Sequence, residues 1–190
     1  MINFTIDGKE VSGQENWTVL EVAKCHGIEI PTLCFHAAVE PYGACRLCVV
    51  EVEEGKRTRV VISCMYPIKN GITVRTDTDR VNNVRRWIVQ LLLDERPGSD
   101  KLQKLAKAYG VTPSRFKAEG TGEICHLCGL CVRVCNEVVG VQSLTFGNRG
   151  LRKEITSPFH QASNDCVSCG TCLYVCPTGA MDQLFDRIRS

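Results

Sequence analysis

The sequence has no run near the roughly 18 apolar residues that a membrane-crossing helix needs, so nothing in it reads as a transmembrane segment. Its start has no basic region: Met1-Ile-Asn-Phe-Thr-Ile-Asp7 alternates apolar and polar residues, the pattern of a strand rather than a signal peptide. Net charge is only +2, too little to argue for nucleic acid or an anionic membrane as partner. No G-x-G-x-x-G follows a strand-like run, so a dinucleotide fingerprint is missing. Neither histidine nor cysteine occurs from residue 65 to 124. The 190 residues, 44% hydrophobic and 23% charged, otherwise have an ordinary globular composition, enough for one large or two small domains.

Cysteine is what the chain has in excess: thirteen residues. The odd count, the clustered spacing and the lack of a leader argue against a disulfide framework and for the reducing cytoplasm. Eight of them form two runs, Cys125-His-Leu-Cys128-Gly-Leu-Cys131-Val-Arg-Val-Cys135 and Cys166-Val-Ser-Cys169-Gly-Thr-Cys172-Leu-Tyr-Val-Cys176-Pro177. Both read C-x2-C-x2-C-x3-C, the ligand spacing of bacterial two-cluster ferredoxins. Three closely spaced thiolates on a tight loop can wrap three corners of a cubane. The fourth, at the start of a helix, points away and ligates the other cluster. The expected sets are Cys125, Cys128, Cys131 with Cys176, and Cys166, Cys169, Cys172 with Cys135. Structural zinc is the alternative, but it favours four ligands in two separated pairs. Because cluster binding is part of the folding free energy, the C-terminal part is expected not to fold without iron.

Residues 1–12 predict a hairpin turning at Asp7-Gly8. Thr18 and Glu21 predict a capping box on a short helix with Val19, Val22, Ala23 and His26 on its apolar side, stopped by Gly27. Strands are predicted over 49–52, 60–64 and 72–76. Cys34, Cys45, Cys48 and Cys64 lie on or beside this sheet, with gaps of x10, x2 and x15. Plant-type ferredoxins have x4 and x2 before a distant fourth cysteine, so the first gap is longer here. Gly43 and Ala44 are small enough to let backbone N–H groups approach a cluster. Arg46 adds a positive charge or is a solvated loop residue, and zinc is again the alternative.

From Asp79 to Glu95 the period becomes helical, with Val81, Val84, Ile88, Leu91 and Leu92 on one face, Trp87 flanking it in the core, and Arg80, Arg85 and Arg86 solvated. Arg96-Pro-Gly-Ser99 breaks this helix, and Leu102, Leu105, Ala106 and Tyr109 mark a second one closed by Gly110. The 30 residues between Cys135 and Cys166 include a predicted hairpin around Gly147-Asn-Arg-Gly150, either a docking element or a tolerated insertion. Cys25 is expected to be a buried free thiol. His26, His36 and His160 are not at ligand spacing, and His126 lies inside a cluster loop, where its charge would bear on potential. The short tail after Cys176 is not expected to hold a catalytic domain.

The order of these motifs resembles one family: the iron–sulfur subunits of complex I-like NADH modules, the small diaphorase subunit of NAD-linked hydrogenases, and the N-terminal cluster regions of [FeFe]-hydrogenases and NAD-linked formate dehydrogenases. Ile30-Pro-Thr-Leu-Cys34, Gly43-Ala-Cys45-Arg-Leu-Cys48, Cys128-Gly-Leu-Cys131-Val-Arg-Val-Cys135, Phe146-Gly-Asn-Arg-Gly150 and Cys176-Pro-Thr-Gly-Ala180 carry the resemblance. It implies a [2Fe–2S] cluster on Cys34, Cys45, Cys48 and Cys64, and two [4Fe–4S] clusters on the eight C-terminal cysteines. Family members usually carry a His and three Cys after the long helix for one more [4Fe–4S] cluster. Here Arg96-Pro-Gly-Ser-Asp100 stands at that place, so that cluster is expected to be absent. Either the remaining clusters approach one another directly or a partner's cluster fills the gap.

The implied fold is α+β: a plant-ferredoxin-like β-grasp domain over 1–77, a helical bridge over 78–120, and a 2[4Fe–4S] ferredoxin-like domain over 121–190. The implied role is a non-catalytic electron relay. It would join a flavin subunit that handles NAD(P)H to a hydrogenase, formate dehydrogenase or other low-potential partner. The alternative is a free, diffusible polyferredoxin. Such carriers tend to be small and strongly acidic, which steers docking, whereas the charge here is nearly balanced.

Overall fold

A computed structural model describes residues 1–112, 114 and 124–189. The expected boundary between bridge and C-terminal domain, at 120 and 121, lies outside the described residues. By packing the chain divides into two compact units: Met1–Leu33, Pro41–Leu91 and Leu105–Thr112 in the first, and Cys34–Glu40, Leu92–Lys104 and Pro113–Ser190 in the second.

In the first unit, β1 (Ile2–Ile6) and β2 (Lys9–Gly13) form the predicted antiparallel hairpin. Asp7 and Gly8 both have positive φ, 50° and 78°, the requirement of a type I′ turn that matches strand twist. With β3 (Val49–Glu54), β4 (Arg57–Ile62) and β5 (Thr73–Arg75) the hairpin makes a five-stranded sheet of order β2-β1-β5-β3-β4. β1 and β5 are parallel and the other pairs antiparallel. The Asp7 carboxylate joins the two parallel strands by accepting the Thr76 backbone N–H at 2.7 Å and the Thr76 hydroxyl at 2.6 Å.

Helix α1 (Val19–Cys25) starts with the predicted capping box: the Thr18 hydroxyl accepts the Glu21 N–H, and the Glu21 carboxylate accepts the Thr18 N–H at 2.7 Å. Val19, Leu20, Val22 and Ala23 are buried. A Cβ on Gly13 would stand 2.5 Å from the Val22 side chain, so glycine is what lets helix and sheet approach. His26 and Cys25 are exposed, which corrects the buried thiol and the apolar histidine expected of this helix. Both lie off the stripe that faces the sheet.

Helix α2 (Asp79–Glu95) has the predicted bounds but another buried face. Val81, Arg85, Val89 and Leu93 are buried, while Leu91 is 64% and Trp87 70% exposed. Arg85, expected in solvent, donates from Nη2 to the Val49 carbonyl at 2.7 Å, and its aliphatic stem fills the i, i+4 row. The helix therefore turns Trp87 outward. Helix α3 (Asp100–Ala108) buries Leu102 and Ala106 and ends before Gly110, whose φ is 63°.

The second unit is built as two similar halves. Helix α4 (Leu130–Val134) lies within the first cysteine run and widens into a π-turn over Cys135–Val139. Helix α5 (Thr171–Tyr174) lies within the second. Between them lies the predicted hairpin, β6 (Thr145–Gly147) against β7 (Glu154–Thr156), and α6 (Ala180–Arg189) closes the chain. Much of the core of this unit is sulfur: Cys131 and Cys135 are buried with Leu144, Ile155 and Met181, and Cys125, Cys172 and Cys176 pack against them beside aliphatic side chains and Phe146.

Candidate metal centres

In the first unit Cys45, Cys48 and Cys64 are buried. Their sulfurs interact: a hydrogen bond from Cys64, with Ser63 adding to it, pulls the Cys48 thiol down to about 7 against burial and the neighbouring Cys45. The Ser63 hydroxyl and backbone N–H both donate to the Cys48 carbonyl, at 2.7 and 3.0 Å, which fixes the end of the loop. Gly43 has φ 65°, and a Cβ there would meet the Met65 sulfur at 2.6 Å. Arg46 is left-handed too, at φ 60°, with its side chain exposed. Cys34, 2% exposed, lies on the segment that belongs to the second unit. There Arg133 donates from Nη2 to the Cys34 carbonyl at 2.8 Å and from Nη1 to the Glu40 carbonyl. The Glu137 carboxylate accepts the Glu40 N–H at 2.8 Å.

In the second unit the eight cysteines fall into two groups. Cys125, Cys128, Cys131 and Cys176 line one cavity. Cys135, Cys166, Cys169 and Cys172 line another. Each run thus sends its fourth cysteine to the other run's cavity. Crowding shows in the thiols: burial, then the neighbouring Cys128, Cys125 and Cys176, push Cys131 strongly up. Burial raises Cys172 as well, with Cys135 and Cys169 beside it. The exposed Cys169 is lowered by the Thr171 hydroxyl, 3.2 Å from its sulfur. Among the described residues no three His, Cys, Asp or Glu side chains converge at the spacing of one metal ion; the sulfurs ring a space instead.

The backbone fits an anionic cluster. Leu127 and Gly129 have φ 55° and 74°, and Ser168 and Gly170 repeat this at 54° and 72°. Alternating left-handed residues turn successive N–H groups inward into a nest, a form common at Fe–S sites. Leu127 and Ser168 accept a conformation that L-residues rarely adopt, at the same place in both runs. Gly129 is also held by space, since a Cβ there would lie 2.8 Å from the Phe146 ring of β6. The Lys153 ammonium sits 4.2 Å from that ring's centre, a cation–π contact within the hairpin.

The contacts of Arg133 and Arg96 were hidden from sequence reasoning, and so was the burial of His126. Arg133 bonds to backbone carbonyls, which no side-chain pattern reveals. Arg96 is 7% exposed and donates from Nε to the Cys125 carbonyl at 2.7 Å. His126 is buried, and burial, with Arg96 second, pushes its imidazole down to about 4.

Two thiol quartets on paired nests, with a cysteine trio on a β-grasp sheet, define an iron–sulfur protein. Residues 1–79 match the 2Fe-2S iron-sulfur cluster binding domain and residues 124–180 the 4Fe-4S dicluster domain. Both matches favour clusters over zinc. A chain in the crystal structure of the NAD+-reducing [NiFe]-hydrogenase in the H2-reduced state aligns with TM-score 0.78 and 31% identity, over 94% of this chain and 86% of that one. The NADP-reducing hydrogenase subunit HndD of Solidesulfovibrio fructosivorans is 34% identical over 95% of this chain and 36% of its own length. The NADPH-Fe(3+) oxidoreductase subunit alpha of Geobacter sulfurreducens is 33% identical over 95% and 24%, and an NADH-quinone oxidoreductase subunit of Rickettsia typhi 32% over 96% and 30%. The chain belongs to the iron–sulfur subunit family shared by NADH-quinone oxidoreductases and NAD(P)-linked hydrogenases. It spans roughly a quarter to a third of the length of these curated relatives. Among the described residues no helix is long and apolar enough to cross a membrane.

Proposed function

We propose that the chain is a cytoplasmic electron-relay subunit carrying one [2Fe–2S] and two [4Fe–4S] clusters. Cys34, Cys45, Cys48 and Cys64 hold the first. Cys125, Cys128, Cys131 and Cys176 hold the second, and Cys166, Cys169, Cys172 and Cys135 the third. The clusters supply one-electron chemistry; the chain supplies thiolates, nests of N–H groups and burial. It passes electrons between a flavin subunit handling NAD(P)H and a hydrogenase, formate dehydrogenase or other low-potential partner. A β-grasp domain over 1–77, a bridge over 78–120 and a dicluster domain over 121–190 divide the work. The observation that carries this reading is the alignment over nearly the whole chain with a chain of an NAD+-reducing hydrogenase, together with the match of its two ends to a 2Fe-2S and a 4Fe-4S dicluster domain.

Anaerobic purification of the tagged chain from its host, with mass spectrometry of stoichiometric partners, tests the proposal. A flavin NAD(P)H subunit together with a hydrogenase or formate dehydrogenase is the expected result. A chain that emerges alone with its clusters intact would instead be a diffusible polyferredoxin.

A further inference from the structure

The two cysteine runs share their spacing and their left-handed turns, yet they differ just after the first cysteine. One run has His126 there and the other Val167. Val167 is 62% exposed, whereas His126 is 8% exposed and lines the same cavity as Cys125, Cys128, Cys131 and Cys176. Neither of its ring nitrogens has a hydrogen-bond partner among the described residues. A neutral imidazole carries one N–H and a charged one two, so a donor is present in either state. Burying a donor without an acceptor is costly, and native structures seldom do so. The acceptors that a cluster in this cavity would bring are its sulfides and its ligand sulfurs.

We infer that His126 donates a ring N–H to a sulfur of the cluster held by Cys125, Cys128, Cys131 and Cys176, and so sets that cluster's reduction potential apart from its twin's. The inference rests on the proposed ligation by those four cysteines. His126 is a tuning residue and not a ligand, since no cysteine of the set is displaced. A hydrogen bond to sulfur stabilises the extra negative charge of the reduced cluster and raises its potential. Val167 offers the second cluster no such donor.

The test uses the full-length, cluster-loaded chain. In an EPR-monitored redox titration, His126→Leu lowers one [4Fe–4S] midpoint by at least a factor of ten in the reduction equilibrium, about 59 mV for one electron. The other midpoints stay in place, and His126→Gln, which keeps an N–H, recovers most of the shift. Should His126→Leu fail to hold its iron, ¹⁵N-histidine-labelled wild type decides. Pulsed EPR of the reduced chain then shows a nitrogen coupling on a [4Fe–4S] signal, which is lost in His126→Gln. A fully loaded His126→Leu with all midpoints unchanged overturns the inference, as does a labelled wild type without nitrogen coupling. An iron content unaffected by Cys128→Ser overturns the ligand reading itself, and the inference with it.

Discussion

Arg133 stands between two cysteines of the first run, yet its guanidinium is bonded to the carbonyls of Cys34 and Glu40. Replacing it with leucine leaves those oxygens without their donor, at a cost of about 1–3 kcal/mol each where they are shielded from water. Arg133→Leu is therefore expected to release the [2Fe–2S] cluster first on chelation, because Cys34 loses its anchor. The EPR signals followed against chelator exposure check this; a cubane lost first contradicts it. Cys48→Ser acts at the other end of the same proposed ligand set. It is expected to damage the [2Fe–2S] signal and spare the two [4Fe–4S] signals, and loss of all three would sink the two-domain reading. Arg85 and Trp87 form a further contrast. Arg85→Leu removes the donor to the Val49 carbonyl and destabilises by about 1–3 kcal/mol, whereas Trp87→Ala, at an exposed site, stays within about 0.5 kcal/mol. Urea titrations of the loaded chain measure both.

At the scale of elements, what could be read in advance depended on whether the partner was local in sequence. The Asp7-Gly8 turn and the Thr18–Glu21 capping box were legible because their hydrogen bonds close within a few residues. The bounds of α2 were legible from its helical period. Its buried face was not: hydropathy sends Arg85 to water, while the fold offers it a carbonyl on β3. Cys25 was misplaced for a related reason, since a short helix leaves the choice of face to the sheet it meets. In the cysteine loops the spacing predicted the grouping of sulfurs, but not the left-handed Leu127 and Ser168. These carry no side-chain signature and follow from the need to turn N–H groups inward. Gly129→Ala tests that need. It forces a Cβ onto a φ of 74° and against Phe146, and it is expected to cost the cluster of the first run. Iron analysis and the loss of one [4Fe–4S] signal would show this; an alanine variant with full iron content argues the other way.

For the whole molecule, the proposed ligand sets require 2 + 4 + 4 irons in the anaerobically reconstituted chain, on the family's cluster types. About 14 irons would mean a further cluster beyond these sets. Because sulfur makes up much of the second unit's core, chelation is expected to collapse that unit. The fall in far-UV circular dichroism should follow iron loss in proportion, and a signal that survives complete iron removal would show a fold independent of metal.

The crossing of the two runs has a mechanical consequence. If each cluster draws three sulfurs from one run and one from the other, the halves are linked like two hands clasped through shared links. A protease cut in the turn between β6 and β7 would then leave the pieces joined, moving as one particle under native conditions and parting only when the iron is stripped. In this sense the inorganic core would do for a thiol-rich chain what disulfide bridges do for secreted domains.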